Sequence, residues 1–405
     1  VKVLIETTFI APHVGGVEII VAQQAKSLAA AGHEVTVFTG RYDKSLPRDE
    51  QVDGYRVIRT PAWNAIEDRT GVPYLMWGVR SLAPLVKLIR QADVVHVHDV
   101  NYQPSFLTSA IARLARRPLF ITQHVAMVEH DSPLVMGVQR FVYATAGRLL
   151  WRWSKGIVAY NVMVERFLVE HSVPREKVHL SYNGIDVEMF RPGDAATRSA
   201  VRASYGLPQD KPLVLFVGRL VPKKGYLELM AAHHDDYHVV LAGPGAIPTD
   251  VPPGVTFVGP VERTELLGLY QASDIFAFPA VGEMLTLAMQ EAMACGLPVV
   301  TTEDAAYDAY QLDRDGIAFT LPQPDALRRA FLEILGDSQR YQRMSTYSRE
   351  QAMARFDWRA NAATLADLYR HVGSTGGSQR RDIDPKIDPE AALKRPLVES
   401  EEQAW

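Results

Sequence analysis

Cysteine is almost missing from this chain: one residue, Cys295, in 405. A single thiol excludes an internal disulfide framework and a cysteine-ligated zinc centre, and it fits a reducing, cytoplasmic setting. Long apolar runs are missing as well. No window reaches the roughly 18 uncharged apolar residues of a spanning segment, so no membrane-crossing helix is expected. The opening run Val1-Lys-Val-Leu-Ile5 lacks the basic start and longer apolar stretch of a secretory leader, and it reads as a strand. A large charge imbalance is also lacking. A formal net charge of -4 gives no global basis for binding nucleic acid. What is present is ordinary globular material, 47% hydrophobic and 22% charged. A length of 405 residues exceeds what one core usually serves, so two domains are expected.

Short apolar runs alternate with amphipathic stretches along the chain. Val1–Ile5, Glu34–Phe38, Val94–His98, Leu119–Thr122, Gly156–Tyr160 and Val178–Ser181 read as strands with helical patterns between them. A break falls near Phe190-Arg-Pro-Gly-Asp194. The pattern then restarts with Pro212–Val217 and continues through His238–Leu241, Val255–Val258, Ile275–Phe278 and Pro298–Thr301. Strand–helix repetition of this kind predicts parallel sheets with helices on both faces, in two α/β halves of about 1–190 and 191–356. Residues 373–405 open on Gly373-Ser-Thr-Gly-Gly-Ser378 and continue polar and aperiodic, which predicts a disordered tail.

Three stretches carry candidate chemistry. The run Val281–Val300 places Glu283 and Glu291 eight positions apart at the opening of a helical pattern, which would put them on nearly one side of it. A helix start favours an anion, and carboxylates beside an anion site usually bind hydroxyls, so a ligand part sugar and part phosphate is indicated. The plain alternative is that Glu291 belongs to a solvated face. Val217-Gly218-Arg219-Leu-Val-Pro-Lys-Lys224-Gly225 turns directly out of a strand and offers a guanidinium fork and an ammonium to a diphosphate. Its spacing is not that of a Walker loop, and the competing reading is two solvated cations. Gly15-Gly16 follows the first strand and is equally an anion cradle or a tight turn.

As a set these motifs resemble the GT-B retaining glycosyltransferases of family 4. The likeness rests on Val217–Gly225, Leu241-Ala-Gly-Pro-Gly245, Phe257-Val-Gly259, Leu269–Asp274 and Glu283–Val299, with Gly15-Gly16, Val95–His98, Gln123-His124 and Tyr182–Asp186 in the first half. It spans about residues 1–372 in the family's order. The resemblance implies two Rossmann-like domains facing across a central cleft, with a closing helix at about 357–372 returning to the first domain. It implies transfer of a sugar from a nucleotide-diphosphate sugar to a hydroxyl, with retention and without a metal or other cofactor. Arg219 and Lys224 would hold the diphosphate, beside Gly218. Glu291 would bind the ribose and Glu283 the donor sugar, and the backbone around Val258 and Val261 would meet the base. Gly15 and Gly16 would lie at the donor phosphate, and His124 would contact the sugar at the reaction centre.

This sequence departs from the family where Glu283-Met284-Leu285-Thr286 replaces the usual glycine-bearing turn, which alters the donor-sugar contacts at those three residues. The region between Gly225 and Leu241 is short and Ala246–Gly254 leaves no room for the family's usual helix, so the nucleotide domain reads as trimmed. His96, His98 and Asp99 could mimic a metal pair, although structural histidines suit a buried strand better. Cys295 reads as packing.

Charge clusters in residues 80–155, with ten Lys/Arg against four acids, and Leu134–Lys155 adds Trp151 and Trp153 to a basic amphipathic stretch. That stretch is either core packing or a peripheral contact with the membrane face. The acceptor would be a glycan, a lipid-linked group or a small molecule, in polysaccharide or glycoconjugate assembly. Rival readings are a GT-B epimerase or phosphorylase and a non-catalytic sugar-nucleotide sensor.

Overall fold

The computed structural model describes residues 1–13, 16–63, 75–127, 132–182, 184–281, 285–304, 307 and 310–373. Two compact units emerge: Val1–Gly184 with the helix Trp358–Gly373, and Ile185–Asp357. The second unit takes in Ile185 because its N–H bonds to the Phe356 carbonyl at 2.7 Å and its backbone pairs with Asp357. That bridge lies ahead of the break near Phe190 read from the sequence. The tail beyond Gly373 lies outside the described residues.

The first unit is built on β1 (Lys2–Glu6), β2 (Glu34–Arg41), β3 (Asp49–Val52), β4 (Tyr55–Trp63), β5 (Met76–Trp77), β6 (Val94–His98), β7 (Leu119–Gln123), β8 (Gly156–Ala159) and β9 (Val178–Leu180). They order as β3-β4-β2-β1-β6-β7-β8-β9, with β5 paired to β4. From β4 to β9 all neighbours run parallel. The central strands read as unbroken apolar runs because helices cover both faces. Along β1, Val3 and Ile5 join Val21, Leu28 and Leu365 from the helices Gly16–Ala30 and Trp358–Gly373. Leu4 faces the opposite core of Val95, Val97, Tyr143, Leu150 and Trp151.

The strand reading needs one addition here. β3 and β4 are absent from the strands read in the sequence, yet Asp53-Gly54 joins them with φ of 46° and 87°, the left-handed pair of a two-residue hairpin turn. Of the two readings of Leu134–Lys155, Trp151 follows core packing: it points inward at 2% exposure and stacks on Tyr143 at 5.8 Å.

The second unit contains β10 (Leu213–Val217), β11 (His238–Ala242), β12 (Val255–Gly259), β13 (Ile275–Phe278), β14 (Val299–Thr302) and β15 (Ile317–Thr320). All are parallel, in the order β12-β11-β10-β13-β14-β15. That is the doubly wound order whose two halves diverge from the central pair, here β10 and β13. Only a six-residue helix, Tyr226–Ala231, precedes β11, and the β11–β12 connection carries no helix.

Candidate active site

In doubly wound sheets ligands bind beyond the carboxyl ends of the strands, where successive crossovers part to opposite faces. In the second unit that point lies between β10 and β13, and the Gly218–Gly225 turn leaves β10 there. Pro222–Lys224 makes one tight helical turn, ended by Gly225 in the left-handed conformation at φ 74°. A Cβ on Gly225 would stand 2.2 Å from the Pro279 carbonyl oxygen, so the turn can seat against the end of β13 only with glycine. Lys224 Nζ lies 5.4 Å from the Phe278 ring centroid, which puts the ammonium at the same strand end. Arg219 is exposed, and its side chain has no hydrogen-bond or ion-pair partner among the described residues.

The β11 turn lies directly on this one. Gly218 N–H bonds the Ala242 carbonyl at 2.9 Å and Leu220 N–H the Pro244 carbonyl at 2.8 Å. At Gly243 (φ 143°) an added Cβ would come within 1.9 Å of the Gly218 oxygen. The motif Leu241-Ala-Gly-Pro-Gly245 is thus a backbone-on-backbone contact that side chains would prevent. Val258 and Val261, both half-buried, flank the end of β12, whose Gly259 carbonyl accepts from Gly243 N–H at 2.8 Å.

The helical pattern that holds Glu291 opens later than Glu283. The helix runs Leu287–Ala294, and Thr286 caps it by accepting from Met289 N–H at 3.2 Å. Glu283 therefore precedes the helix, and Glu283 and Met284 lie outside the described residues. Leu285 is buried, and the Thr286 hydroxyl is committed to the cap. Glu291 is not on a solvated face: it is 5% exposed, and its Oε2 accepts from the Tyr270 hydroxyl at 3.0 Å. Sequence reasoning missed Tyr270, though it sits in the Leu269–Asp274 motif. Cys295 is buried, and burial pushes its thiol up to about 12, which suits packing rather than nucleophilic work.

In the first unit the equivalent point lies between β1 and β6. Asp99, at the end of β6, takes a left-handed conformation (φ 60°), and its Oδ1 accepts from His124 N–H at 2.8 Å and Gln123 Nε2 at 3.1 Å. His98 Nδ1 and His124 Nε2 are 2.8 Å apart, and the two rings stack. One ring donates and the other accepts, which requires the accepting ring to be neutral. Burial drives both toward neutrality, lowering His124 to about 3 and His98 well below its ordinary value.

His96, which alternates with His98, is held by Tyr369 Oη at 2.5 Å and Thr122 Oγ1 at 2.7 Å, leaving neither ring nitrogen for a metal. Among the described residues no three His, Cys, Asp or Glu side chains gather as metal ligands would. Glu6, fully buried at the end of β1, is pushed up to about 8 by burial, with Asp99 adding to the rise and Ser105 opposing it. Burial likewise raises Asp99 to about 7.

The loop that leads to Gly15 and Gly16 is tightly held. Thr39 Oγ1 bonds the Thr8 carbonyl at 3.0 Å, and buried Arg59 donates to the Ala11 carbonyl at 2.9 Å. His13 stacks on Phe9 at 4.2 Å and bonds Glu18 at 2.6 Å. Gly15 lies outside the described residues. Gly16 opens the helix Gly16–Ala30, and a Cβ there would meet nothing within 4 Å, so the unit's own packing does not demand glycine. Glu6, His13 and Arg59 are not singled out by the sequence motifs. A lone acid closing an apolar strand is the legible signal for Glu6.

Comparison with known proteins agrees with this architecture. Residues 14–189 match the model for Glycosyltransferase Family 4, and residues 197–351 match Glycosyl transferases group 1. Together these cover most of the chain. It belongs to the family 4 glycosyltransferases of GT-B fold and is a glycosyltransferase.

Among its relatives is a D-inositol 3-phosphate glycosyltransferase of Xylanimonas cellulosilytica, 29% identical over 88% of this chain and 91% of the other. Another, of the same description, is from Mycobacterium leprae, at 29% identity over 76% of each. In fold it is similar to sucrose-phosphate synthase from Thermosynechococcus elongatus, with TM-score 0.65 and 23% identity over 92% of this chain and 98% of that one. The Anabaena protein HepE, solved in complex with UDP, gives TM-score 0.69 and 18% identity over 92% of this chain and all of its own.

Proposed function

We propose that the protein transfers a sugar from a nucleotide-diphosphate sugar to a hydroxyl acceptor, retaining the anomeric configuration and using no metal. The observation that carries this reading is the Gly218–Gly225 turn at the β10–β13 divergence, with an exposed Arg219 and with Lys224 at the end of β13. Two cations there offset the charge that grows on the diphosphate as the bond from sugar C1 to phosphate oxygen breaks, the work a metal performs elsewhere. The acceptor oxygen then bonds C1 from the same face, and its proton passes to the departing phosphate.

Tyr270 holds the Glu291 carboxylate in place, as a ribose clamp requires. Gly16, free of any packing demand, leaves room for a phosphate at the start of its helix. His124, neutral and oriented by His98 and Asp99, suits a hydrogen bond to a sugar hydroxyl. Polysaccharide or glycoconjugate assembly is the setting this chemistry fits.

Incubation with uridine, guanosine and adenosine diphosphate sugars, followed by assay of nucleotide release, tests the donor class. Release from one donor is expected, and product NMR should show the donor's anomeric configuration in the new bond. Glu291→Ala should weaken nucleotide binding about tenfold or more, the loss of a charge-assisted hydrogen bond. Donor isomerisation, or binding without turnover, would replace transfer by the epimerase or sensor reading.

A further inference from the structure

Arg59 is an anomaly in the first unit. It stands on β4 with its side chain only 2% exposed, so a permanent cation is withdrawn from water near the edge of the sheet. Where packing is the sole need, an apolar side chain of similar volume often serves as well or better than a buried charge. The guanidinium instead joins three stretches of chain. One arm donates to Glu50 Oε1 on β3 and to the Pro47 carbonyl at 3.3 Å. The other donates to the Ala11 carbonyl at 2.9 Å, 48 residues away along the chain.

Ala11 belongs to the loop that leaves β1. Within it Thr7 Oγ1 bonds the Phe9 carbonyl at 3.1 Å, and His13 N–H bonds the Ile10 carbonyl at 3.2 Å. Phe9 and Ile10 are buried. Tyr42, just past the end of β2, meets Phe9 and His13 edge-on, with ring centroids at 5.9 and 5.3 Å. At the far end of the loop, His13 Nδ1 lies 2.6 Å from Glu18 Oε1, in the first turn of the helix Gly16–Ala30. A continuous path therefore runs from Glu50 through Arg59, Ala11 and His13 to Glu18.

We propose that Arg59 is a positioning residue for the transfer reaction: anchored by Glu50, it fixes the Ala11–His13 segment and, through Glu18, the start of the Gly16 helix where the donor phosphate is seated. This rests on the transfer reading above. A rigid planar fork holds a carboxylate and a carbonyl at once, which an ammonium on a flexible stem does not. A displacement of about 1 Å far from the chemistry can lower a rate by about two orders of magnitude. The β3–β4 hairpin thereby acts on the reaction without touching the reactants.

Two variants of the full chain test this. R59M removes the guanidinium and keeps the stem, whereas R59K keeps a cation for Glu50 and gives up the Ala11 carbonyl. R56M is the control, because the exposed Arg56 pairs with Asp49 on the same hairpin. The kcat for nucleotide release should fall about tenfold or more in both Arg59 variants, while affinity for free nucleoside diphosphate, whose candidate contacts lie in the second unit, stays within about twofold. R56M should keep the parent's kcat. Amide hydrogen exchange should quicken over residues 7–13 in both Arg59 variants. R59K keeps the buried charge paired, so it guards against loss of folding in R59M. If R59K lowers only the melting temperature and leaves kcat and exchange as in the parent, Arg59 is structural and the proposal fails. An equal loss of kcat in R56M overturns it as well. A parent that releases nucleotide from no donor sinks the transfer reading, and this proposal with it. An active parent matched by both Arg59 variants sinks the proposal alone.

Discussion

The same topological position is built in opposite ways in the two units. At the β10–β13 divergence the surface is backbone and open cation: glycines where neighbouring turns touch, and Arg219 exposed to solvent. At the β1–β6 divergence it is buried and neutral: a protonated Glu6, an Asp99 that grips the next loop, and histidines stacked on one another. The first arrangement suits an anion that arrives with its own charge. The second suits orientation of hydroxyls by groups whose charge burial suppresses. A shared strand order therefore says where a ligand goes, and the side chains at the strand ends say what kind.

The largest effect should come from the charged edge. Lys224→Ala is expected to cut turnover by about two to three orders of magnitude, as removal of one transition-state donor does elsewhere, with circular dichroism unchanged. Full activity in that variant would remove the charge contrast between the edges. Next, Gly243→Ala forces a Cβ against the Gly218 oxygen at a strained φ and should cost about 3 kcal/mol, read from urea unfolding. A neutral outcome would mean that the stacked turns are not rigid.

The buried edge should report itself through pH. Glu6 is raised from 4.5 to about 8, so it stays protonated in the folded unit where the unfolded chain is ionised. Its stability contribution is full below pH 4.5 and is lost as pH rises to about 8. His96, lowered from 6.5 to about 3, works the other way: its contribution is full above pH 6.5 and is lost as pH falls toward 3. Glu6→Gln should therefore remove a slope of roughly 1.4 kcal/mol per pH unit between those limits, and His96→Gln should flatten the acid side. Unfolding curves with the same slopes in parent and variants would refute the neutral-edge description. The smallest effect expected is Tyr143→Phe, which loses the bonds to Ala126 and Asn101 for about 1 kcal/mol of stability.

Much of the charged edge is legible in the sequence. Glycines, a proline and cations in a turn after an apolar strand have few local solutions, so Gly218–Gly225 sits where its spacing places it. The buried edge is less legible. His124 stands out by family likeness, but its fixing by Asp99 and His98 depends on contacts between successive strands that no local pattern encodes. The exact start of the helix after the first glutamate is less legible for a related reason. An eight-residue spacing implies one face only if both residues share a helix, and the Thr286 cap starts the helix after Glu283.

The sequence by itself determined the strand–helix alternation, the two-unit plan and the glycine-rich turns, because periodicity and backbone freedom are properties of neighbouring residues. Tertiary structure alone decided which groups are charged and which faces are covered. It made Glu291 a buried partner of Tyr270, turned Trp151 inward and left Phe141 outside, because desolvation and packing depend on neighbours brought from distant parts of the chain.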